Sequence, residues 1–430
     1  MGAQDLTPTG TSLPSARVMV ADKYRPVDLP LYLGCRFFTA VAMQVQSVAI
    51  GWRIYDITHS ALSLGLVGLC QFVPIFLLTL PAGDLADRFD PRRVFSFCLV
   101  ALALAGGLLC AITFARVQDV WPYYLVLLVI GASRGLAGPS SQSLVPYLVP
   151  PERLPRSIAW SSSTFQVAVI VGPACGGLLY VLGAMAAFGT SALCFLIAGV
   201  GVTYLKGRRR PDIHGTSADA FKRIAEGIAF VRQRPIILGA LSLDLFAVLL
   251  GGATALLPAF ARDILFAGPV GLGLLRSAPA FGAALMAVSI GRRPIERHAG
   301  FKMFVSVAIF GIATIIFGLS RNFYLSLAML AVLGAADMVS VYVRQSLVQL
   351  SVPDVMRGRV SAVNVLFIGT SNELGEFESG ITAAWFGTVP SVVIGGVGTL
   401  LVVAIWMGLF PPLRKIDRLQ EIAARNAVAA

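Results

Sequence analysis

Nine ionisable side chains lie inside long apolar stretches of the sequence, and they are the residues best placed to do chemistry. A charged group inside a membrane-spanning helix is costly unless it faces protein or water, so such groups mark ion or solute pathways. Each is a candidate for proton transfer, solute binding or an ion pair. The nine residues are Arg36, Arg134, Asp244, Arg276, Asp337, Arg344, Glu373, Glu376 and Glu378.

Three of the carboxylates fall in segment 369–380, which is otherwise rich in glycine and small polar residues. Glu373 and Glu376 are i, i+3 neighbours on one helix face, whereas Glu378 points elsewhere. Two close carboxylates in a medium of low dielectric cannot both be ionised cheaply, so one is expected to hold a proton. Glu373 and Glu376 are therefore candidates for proton coupling. The alternative is that the glycines interrupt the helix and the acids cap or pair locally.

An internal repeat relates two further charges. The tetrapeptide Gln-Ser-Leu-Val occurs at 142–145 and again at 345–348, and each copy precedes a loop that combines proline, acidic and basic residues. At this offset Arg134 corresponds to Asp337, and both are near the middle of an apolar stretch. We expect them to pair across a central cavity or to contact a solute. The alternative is a fixed ion pair that holds two halves together.

Other polar residues complete the predicted cavity and the predicted proton path. Gln44, Gln46 and Arg344 are expected at the cavity with Arg134 and Asp337, while Asp337 and Asp244 are further candidates to carry a proton. Asp244 and Arg36 lie nearer the ends of their stretches. For these two residues, snorkelling or helix pairing is the alternative.

The elements that position these residues are twelve predicted membrane-spanning helices. Each is about 18–26 residues long, which at 1.5 Å per residue suffices to cross a hydrocarbon layer of about 30 Å. Spans 3, 6, 9 and 12 carry no charge in their interiors (Lys302 stands at the start of span 9), so every third helix is expected to face lipid. The spans are 31–54, 61–83, 94–114, 122–146, 158–182, 187–205, 236–261, 269–291, 301–319, 323–349, 360–385 and 389–410.

Composition agrees with this reading. The 430 residues are 57% hydrophobic and only 13% charged, and the mean hydropathy is +0.79. A soluble domain is usually under half apolar and about a quarter charged. The three histidines lie far apart in loops and no two cysteines form a CxxC pair, so we expect neither a metal site nor a cofactor. We therefore predict an all-α integral membrane protein.

The charge distribution predicts the orientation. An even number of spans puts both termini on one side, and that side carries about 26 of the lysines and arginines against about four on the other. By the positive-inside rule both termini are cytoplasmic, in a plasma (cytoplasmic or inner) membrane. The net charge of +12 is then topological, so no nucleic-acid partner is expected.

The longest loop divides the chain. We predict a cytoplasmic tail at 1–30, a six-helix bundle at 31–206, a linker at 207–234, a second bundle at 235–410 and a tail at 411–430. Phe221, Ile224, Ile228 and Val231 follow helical spacing in the linker, which predicts an amphipathic helix at the cytoplasmic interface. Two repeated halves are typical of secondary transporters, whose solute site lies between the halves.

The loop between spans 2 and 3 resembles the signature loop of the major facilitator superfamily, GxLxDRxGRR. Gly83, Asp87, Arg88 and Arg92 fit that pattern, together with Leu85 and Arg93, whereas Asp90 and Pro91 depart from it. An acidic side chain there can meet the positive N-terminus of a neighbouring helix. The resemblance implies a gating latch that holds one face closed.

Span 5 contains Gly172-Pro173-Ala174-Cys175-Gly176-Gly177, which resembles the GPxxGG motif of superfamily antiporters. Proline kinks a helix, and glycines allow helices to approach closely. Segments 54–62 and 226–235 are similar to the branch that contains enterobactin exporters and macrolide efflux proteins. The resemblance therefore implies two pseudo-symmetric six-helix bundles and export of a siderophore, drug or similar amphiphile by antiport.

We thus expect a monomeric, proton-coupled secondary transporter of a small molecule. The alternatives are an importer or symporter of the same fold and a membrane receptor that does not transport. An enzyme is not expected, because GxSxG and HExxH motifs are absent, and an ATP-driven pump is excluded by the absence of a GxxxxGK[ST] loop.

Overall fold

The computed structural model describes residues 25–206 and 217–418, and within them it leaves the side chains of 79–88, 217–224, 354, 355, 357, 362 and 365 undescribed. The predicted N-terminal tail up to residue 24, the basic start of the linker and the tail from residue 419 lie outside the described residues. The described residues form helices and contain no strand, which confirms the all-α prediction.

Six long helices form the first half. Each consists of apolar residues with helix-compatible spacing, and α3 begins at a proline whose preceding residue, Asp90, caps the helix by accepting a hydrogen bond from the backbone N–H of Arg92. The helices are α1 (Asp28–Thr58), α2 (Ala61–Arg88), α3 (Pro91–Phe114), α4 (Trp121–Leu148), α5 (Leu154–Val181) and α6 (Ala184–Thr203).

The second half follows a linker helix, α7 (Ser217–Gln233). Its elements are α8 (Pro235–Leu250), a 3₁₀ turn (Ala253–Leu256), α9 (Leu257–Ala259), a π-helical turn (Phe260–Ile264), α10 (Gly268–Arg292), α11 (Ala299–Leu319), α12 (Phe323–Ser351), α13 (Asp354–Phe386), α14 (Thr388–Leu409) and α15 (Pro411–Arg414). A 3₁₀ turn at Pro151–Arg153 also precedes α5 in the first half.

Helix contacts repeat between the halves. In the first half α1 packs on α5 and α6, α2 on α4, and α3 on α4 and α6. In the second half α8 packs on α13 and α14, α10 on α12, and α11 on α12 and α14. The halves meet where α5 contacts α10 and where α2 contacts α13. Each of these contacts has its counterpart, as expected for two pseudo-symmetric six-helix bundles.

Ten helical stretches of the described chain are long and apolar enough to cross a membrane. Two further long helices, α4 and α13, are not among them, because α4 combines Arg134 with prolines and serines and α13 carries several carboxylates. Both pack among the other helices, so the arrangement is consistent with the twelve predicted spans. We call the side on which α1 begins and α14 ends the terminal side, and the opposite side the far side.

The seventh predicted span, 236–261, is not one continuous helix. Helix α8 ends at Leu250, and the chain then passes through Gly251 and Gly252 into the short turns that end at Ile264. Glycine favours a break because it loses the most conformational freedom in a helix, and Pro258 lacks the N–H that a helix interior needs. The span therefore reaches the far side through irregular backbone.

The four spans without a charge in their interior correspond to α3, α6, α11 and α14, and each of them exposes large apolar side chains. Examples are Phe97 and Leu104 on α3, Leu193 on α6, Ile312 on α11 and Leu401 on α14. Lipid is the solvent that such surfaces require. These helices lie at the periphery, as the absence of charge predicts.

The linker helix α7 packs on protein along part of its apolar face. Val231 is buried in a cluster with Val348, Val360 and Val363, and Glu226 accepts an ion pair from Arg359 of α13 at 2.7 Å. Helix α7 also contacts α2 and α8. The sequence prediction of a helix here is confirmed, but at Val231 its apolar face covers α13 rather than lipid.

Candidate functional site

A cavity of about 140 Å³ lies between the two halves, at the middle of the molecule. The first half contributes Gln44, Gln46, Ser47, Gln71, Arg134 and Phe165, and the second contributes Pro258, Arg276 and Glu376. The lining is therefore polar and charged on both sides. Three residues predicted for a solute site, Gln44, Gln46 and Arg134, are brought together here.

Arg134 of α4 connects the halves beside this cavity. Its Nη2 lies 3.7 Å from Oε1 of Glu373 on α13, and its Nη1 donates to Oε1 of Gln71 on α2 at 2.5 Å. The predicted contact with Asp337 is wrong: the repeat makes the two positions equivalent, but α4 packs on α2 and α3 whereas α12 packs on α10 and α11. Residues related by a pseudo-two-fold axis meet only when they lie on the axis.

Arg276 of α10 makes a reciprocal connection from the second half. Its Nη1 donates to Oγ of Ser47 on α1 at 2.6 Å, and Glu376 lines the same cavity. The sequence marked Arg276 as a buried charge but gave it no partner. The repeat could have indicated its position at the cavity, because span 8 corresponds to span 2 of the first half. Span 2 provides Gln71, which lines the cavity.

Helix α13 is continuous through its polar centre, because one helix runs from Asp354 to Phe386. The alternative in which the glycines interrupt the helix is therefore wrong. Instead, Gly375 packs against the backbone of α8: an added Cβ would lie 3.0 Å from the carbonyl oxygen of Leu249. Glu378 points away from the cavity pair and accepts a hydrogen bond from Thr382 at 2.8 Å.

Asp244 and Arg344 form an ion pair inside the second half, between α8 and α12. The Arg344 side chain is 2% exposed, and neither residue lines the central cavity. The structure thus removes Arg344 from the predicted solute site. Asp337 lies two turns before Arg344 on the same helix and has no hydrogen bond or ion pair within the described parts of the chain.

Arg36 occupies the matching place in the first half, between α1 and α4. Its guanidinium donates to the hydroxyls of Tyr32 and Ser141 at 3.3 and 3.1 Å and lies 5.3 Å from the ring centre of Phe165. Ser141 is the repeat equivalent of Arg344. Arg36 thus makes helix-pairing contacts, one of the two alternatives that the sequence left open.

The halves are joined on the far side by close backbone contacts. A Cβ added at Gly65 would lie 2.9 Å from the Cα of Gly380, and one at Gly177 would lie 2.4 Å from the carbonyl oxygen of Pro269. Gly172 and Gly176 instead face α1, while the carbonyl oxygen of Pro173 lies against Gly273 of α10. The glycine motif of α5 therefore packs on both halves at once. We call these α2–α13 and α5–α10 contacts the far-side seams.

Charged residues also connect the two halves on the far side. Asp56 at the end of α1 pairs with Arg262 of the second half and lies 3.8 Å from Arg53, and Tyr55 donates a hydrogen bond to Asp263. The sequence showed these residues as loop charges and did not pair them. The sequence offered one indication that these residues matter, which is that charged residues are rare on the far side.

The signature loop connects α2 to α3 on the terminal side. Gly83, Asp87 and Arg88 belong to helix α2, but their side chains lie outside the described residues. Arg92 pairs with Asp90 at 2.9 Å and donates to the carbonyl oxygen of Leu205 at 2.9 Å, so it ties α3 to the end of α6 within one half. Partial burial raises the pKa of Asp90, but the hydrogen bonds and charge of Arg92 outweigh this and hold that pKa below its usual value.

Comparison with known proteins identifies the family. The family model of the transmembrane secretion effectors, a group within the major facilitator superfamily, matches residues 31–429. The chain belongs to this family. It is therefore a multi-pass membrane transporter, not an enzyme.

The relatives of the transporter include exporters. Macrolide efflux protein A of Streptococcus pyogenes is 24% identical over 391 residues, which are 88% of this chain and 94% of the relative. The enterobactin exporter EntS of Citrobacter koseri is 25% identical over 397 residues, or 91% and 94% of the two chains. The transporter is thus similar in sequence to efflux proteins across nearly its whole length.

Solved structures show the same fold. A bacterial homolog of the human lysosomal transporter Spinster, in an inward-facing and occupied conformation, has a TM-score of 0.71 at 15% identity and covers 90% of this chain and 97% of its own. A bacterial homologue of the iron transporter ferroportin has a TM-score of 0.66 at 17% identity, with coverages of 91% and 99%. These likenesses confirm the fold of the transporter.

Proposed function

We propose that the transporter is a proton-coupled antiporter that exports a small amphiphilic solute by alternating access. The observation that carries this proposal is the Arg134–Glu373 pair, which links the two halves beside the central cavity. Protonation of Glu373 removes the charge that attracts Arg134 across the interface. Loading a proton would then change the attraction between the halves, as an alternating-access cycle requires.

Glu373 is the favoured proton carrier among the four predicted candidates. Asp244 is paired with Arg344 away from the cavity, and Asp337 has no hydrogen bond or ion pair with the other half among the described residues. Glu376 lines the cavity one turn beyond Glu373 and is the second candidate. Glu373 pairs across the halves with Arg134, which lines the cavity, so its protonation can affect both the contact between the halves and the solute site. For this reason we assign the first role to Glu373.

The cavity supports an amphiphilic solute, because Gln44, Gln46 and Arg134 offer polar groups next to Phe165 and Val169. Its volume of about 140 Å³ is smaller than the roughly 300–1,000 Å³ of pockets that hold drug-sized ligands. Binding of a siderophore or macrolide would therefore require the halves to separate on the terminal side. The far-side seams and the Asp56–Arg262 pair would stay closed in that state and part in the opposite one.

We further propose that both termini are cytoplasmic, that the transporter works as a monomer in the inner membrane, and that Asp87 with Gly83, Arg88 and Arg92 forms a latch on the terminal side. The basic residues of that side support the orientation. In this orientation the described state closes the outer face, and solute would be loaded from the cytoplasm.

Transport assays test the function. Cells that produce the transporter are expected to accumulate less erythromycin or enterobactin than cells that do not, and an uncoupler should abolish the difference. These two probes represent the solute classes named for the relatives. Equal accumulation of both probes, with and without the protein, would contradict export of these classes.

A substitution tests the coupling. Glu373→Gln is expected to abolish solute flux driven by a pH gradient in proteoliposomes, because glutamine cannot exchange a proton. Thermal stability in detergent should remain close to that of the unmodified protein, since glutamine can still accept a hydrogen bond from Arg134. Glu378→Gln is the matched control, because Glu378 faces Thr382 instead. Undiminished flux in Glu373→Gln would rule the residue out.

A further inference from the structure

Gln71 holds Arg134 from the same half of the transporter, independently of Glu373. Its Oε1 accepts the 2.5 Å hydrogen bond from Arg134, and its Nε2 donates to the carbonyl oxygen of Val67 at 3.4 Å, one turn earlier in α2. The second bond fixes the orientation of the amide so that its oxygen faces the guanidinium. The Gln71 side chain is buried as well.

Two glycines of α4 make this approach possible. A Cβ added at Gly131 would lie 2.5 Å from the backbone oxygen of Gln71, and one at Gly135 would lie 3.3 Å from the Cα of Ile75. Gly131 lies three residues before Arg134 and Gly135 lies one residue after it. Both are on the face of α4 that meets α2. The backbone is therefore built to bring Gln71 and Arg134 together.

We propose that Gln71 is a positioning residue for proton coupling: it retains Arg134 when Glu373 takes up a proton. This inference rests on the proposed role of Glu373. A guanidinium in a partly buried site needs an acceptor in every state of the cycle, and an unpartnered charge there is costly. Glu373 serves as that acceptor while it is ionised, and Gln71 serves in both states.

Charged groups surround Glu373, and Gln71 differs from them because it is neutral. Arg134 of α4 forms an ion pair with Glu373, and Arg276 of α10 interacts with Glu373 electrostatically. Glu376 lies one turn further along α13. The nearest acid of α8, Asp244, is engaged by Arg344, and Glu226 of α7 is engaged by Arg359. Among the described residues, Gln71 is the neutral group that shares Arg134 with Glu373.

The test measures proton binding without any solute. The full-length protein is purified, and the infrared absorption of protonated carboxyl groups is recorded as a function of pH. The signal of Glu373 is the component that Glu373→Gln removes. Gln71→Leu deprives Arg134 of its neutral acceptor, so protonation of Glu373 becomes less favourable. We expect the midpoint of that signal to move to lower pH by about one unit, the equivalent of one charged hydrogen bond.

A second variant gives the opposite result. Gln71→Glu places a permanent acceptor beside Arg134 and a negative charge near Glu373, so the Glu373 midpoint should move to higher pH. Gln166→Leu is the control, because Gln166 lies outside the cavity lining and donates to the carbonyl oxygen of Ala280 instead of bonding Arg134, so the Glu373 midpoint should stay unchanged. A residue that only supports packing would not shift the midpoint in opposite directions.

The outcomes separate this inference from the proposed function. Unchanged midpoints in both Gln71 variants, or shifts in the same direction, would overturn the role of Gln71 while leaving proton-coupled export intact. If Glu373→Gln removes no titrating signal, the proton site itself is refuted, and the inference fails with it. Opposite shifts in the two Gln71 variants, together with an unchanged midpoint in Gln166→Leu, support the proposal.

Discussion

Arg134 and Arg276 reach across the interface between the two halves in opposite directions. Each half therefore places one positive charge at the cavity. Arg134 reaches from the first half to Glu373, and Arg276 reaches from the second half to Ser47. Each half therefore offers a cation to the other. These contacts are polar and join the two halves at the cavity, which is compatible with the proposed alternating-access cycle.

Arg344 serves a different purpose, since its pair with Asp244 lies within one half. Arg344→Leu leaves a buried carboxylate without its partner, and we expect it to lower the free energy of unfolding by about 3–5 kcal/mol. The measurement is thermal unfolding of the purified protein in detergent. The double variant Asp244→Leu/Arg344→Leu should recover most of this loss, because it buries no charge.

The exposed loop residue Arg321 provides a control for the Arg344 prediction. Arg321→Leu removes an arginine at the surface and should change the stability little. A double variant as unstable as Arg344→Leu alone would show that the pair is not the cause of the loss.

Sequence reasoning identified the buried charges but could not pair them correctly. Hydropathy is a local property, so Arg134 and Glu373 stand out in any apolar stretch. Their partnership depends on how two bundles are rotated against each other, and the repeat offset reports equivalence instead of proximity. For the same reason the sequence could not pair Asp56 with Arg262, although both belong to the few charges of the far side.

At the scale of elements, glycine determines where the halves touch. Helices α2 and α13 meet through Gly65 and Gly380, and α5 and α10 meet through Gly177 and Gly273. Backbones that approach this closely gain van der Waals contact without requiring side chains to interlock. Such seams can separate and reform with little rearrangement.

Gly65→Leu tests the α2–α13 seam. The new side chain would overlap with Gly380 and the carbonyl oxygen of Phe377, so we expect the far side to open more often. The readout is labelling by a membrane-impermeant maleimide, added from the far side, of a cysteine at position 44 in a background without the six native cysteines. Labelling should become at least several-fold faster than without the glycine substitution.

Gly107→Leu is the matched control, because nothing lies within 4 Å of a Cβ added at Gly107 on α3. It should leave the labelling rate unchanged. Equal labelling of both variants would contradict the role of the seam, provided that both elute as folded protein in gel filtration.

Element boundaries were predictable where one physical signal dominated. Apolar length located α3, α6, α11 and α14, which require little beyond contact with lipid. The seventh span was predicted as one helix because its composition stays apolar up to residue 261, whereas the backbone breaks at Gly251 and Gly252. Apolar content measures burial and does not report whether the backbone can remain helical.

At the scale of the whole molecule, topology was the most predictable property, because the two-bundle arrangement follows from the number of spans and the repeat. Its orientation leads to a prediction. Alkaline phosphatase fused after Asp119 on the far side should be active, and the same enzyme fused after residue 430 should be inactive, because it folds only outside the cytoplasm. The reverse pattern of activities would invert the proposed orientation.

Helix α13 contains 33 residues and no proline, so it extends for about 50 Å, well beyond a hydrocarbon layer of about 30 Å. Arg359 near one end pairs with Glu226 of the linker helix, Glu373 near the centre pairs with Arg134 of the first half, and Gly380 near the other end belongs to a far-side seam. One stiff rod therefore spans all three places. A tilt of this helix would therefore move the linker helix, the proposed proton site at Glu373 and the far-side seam together, without any separate relay between them.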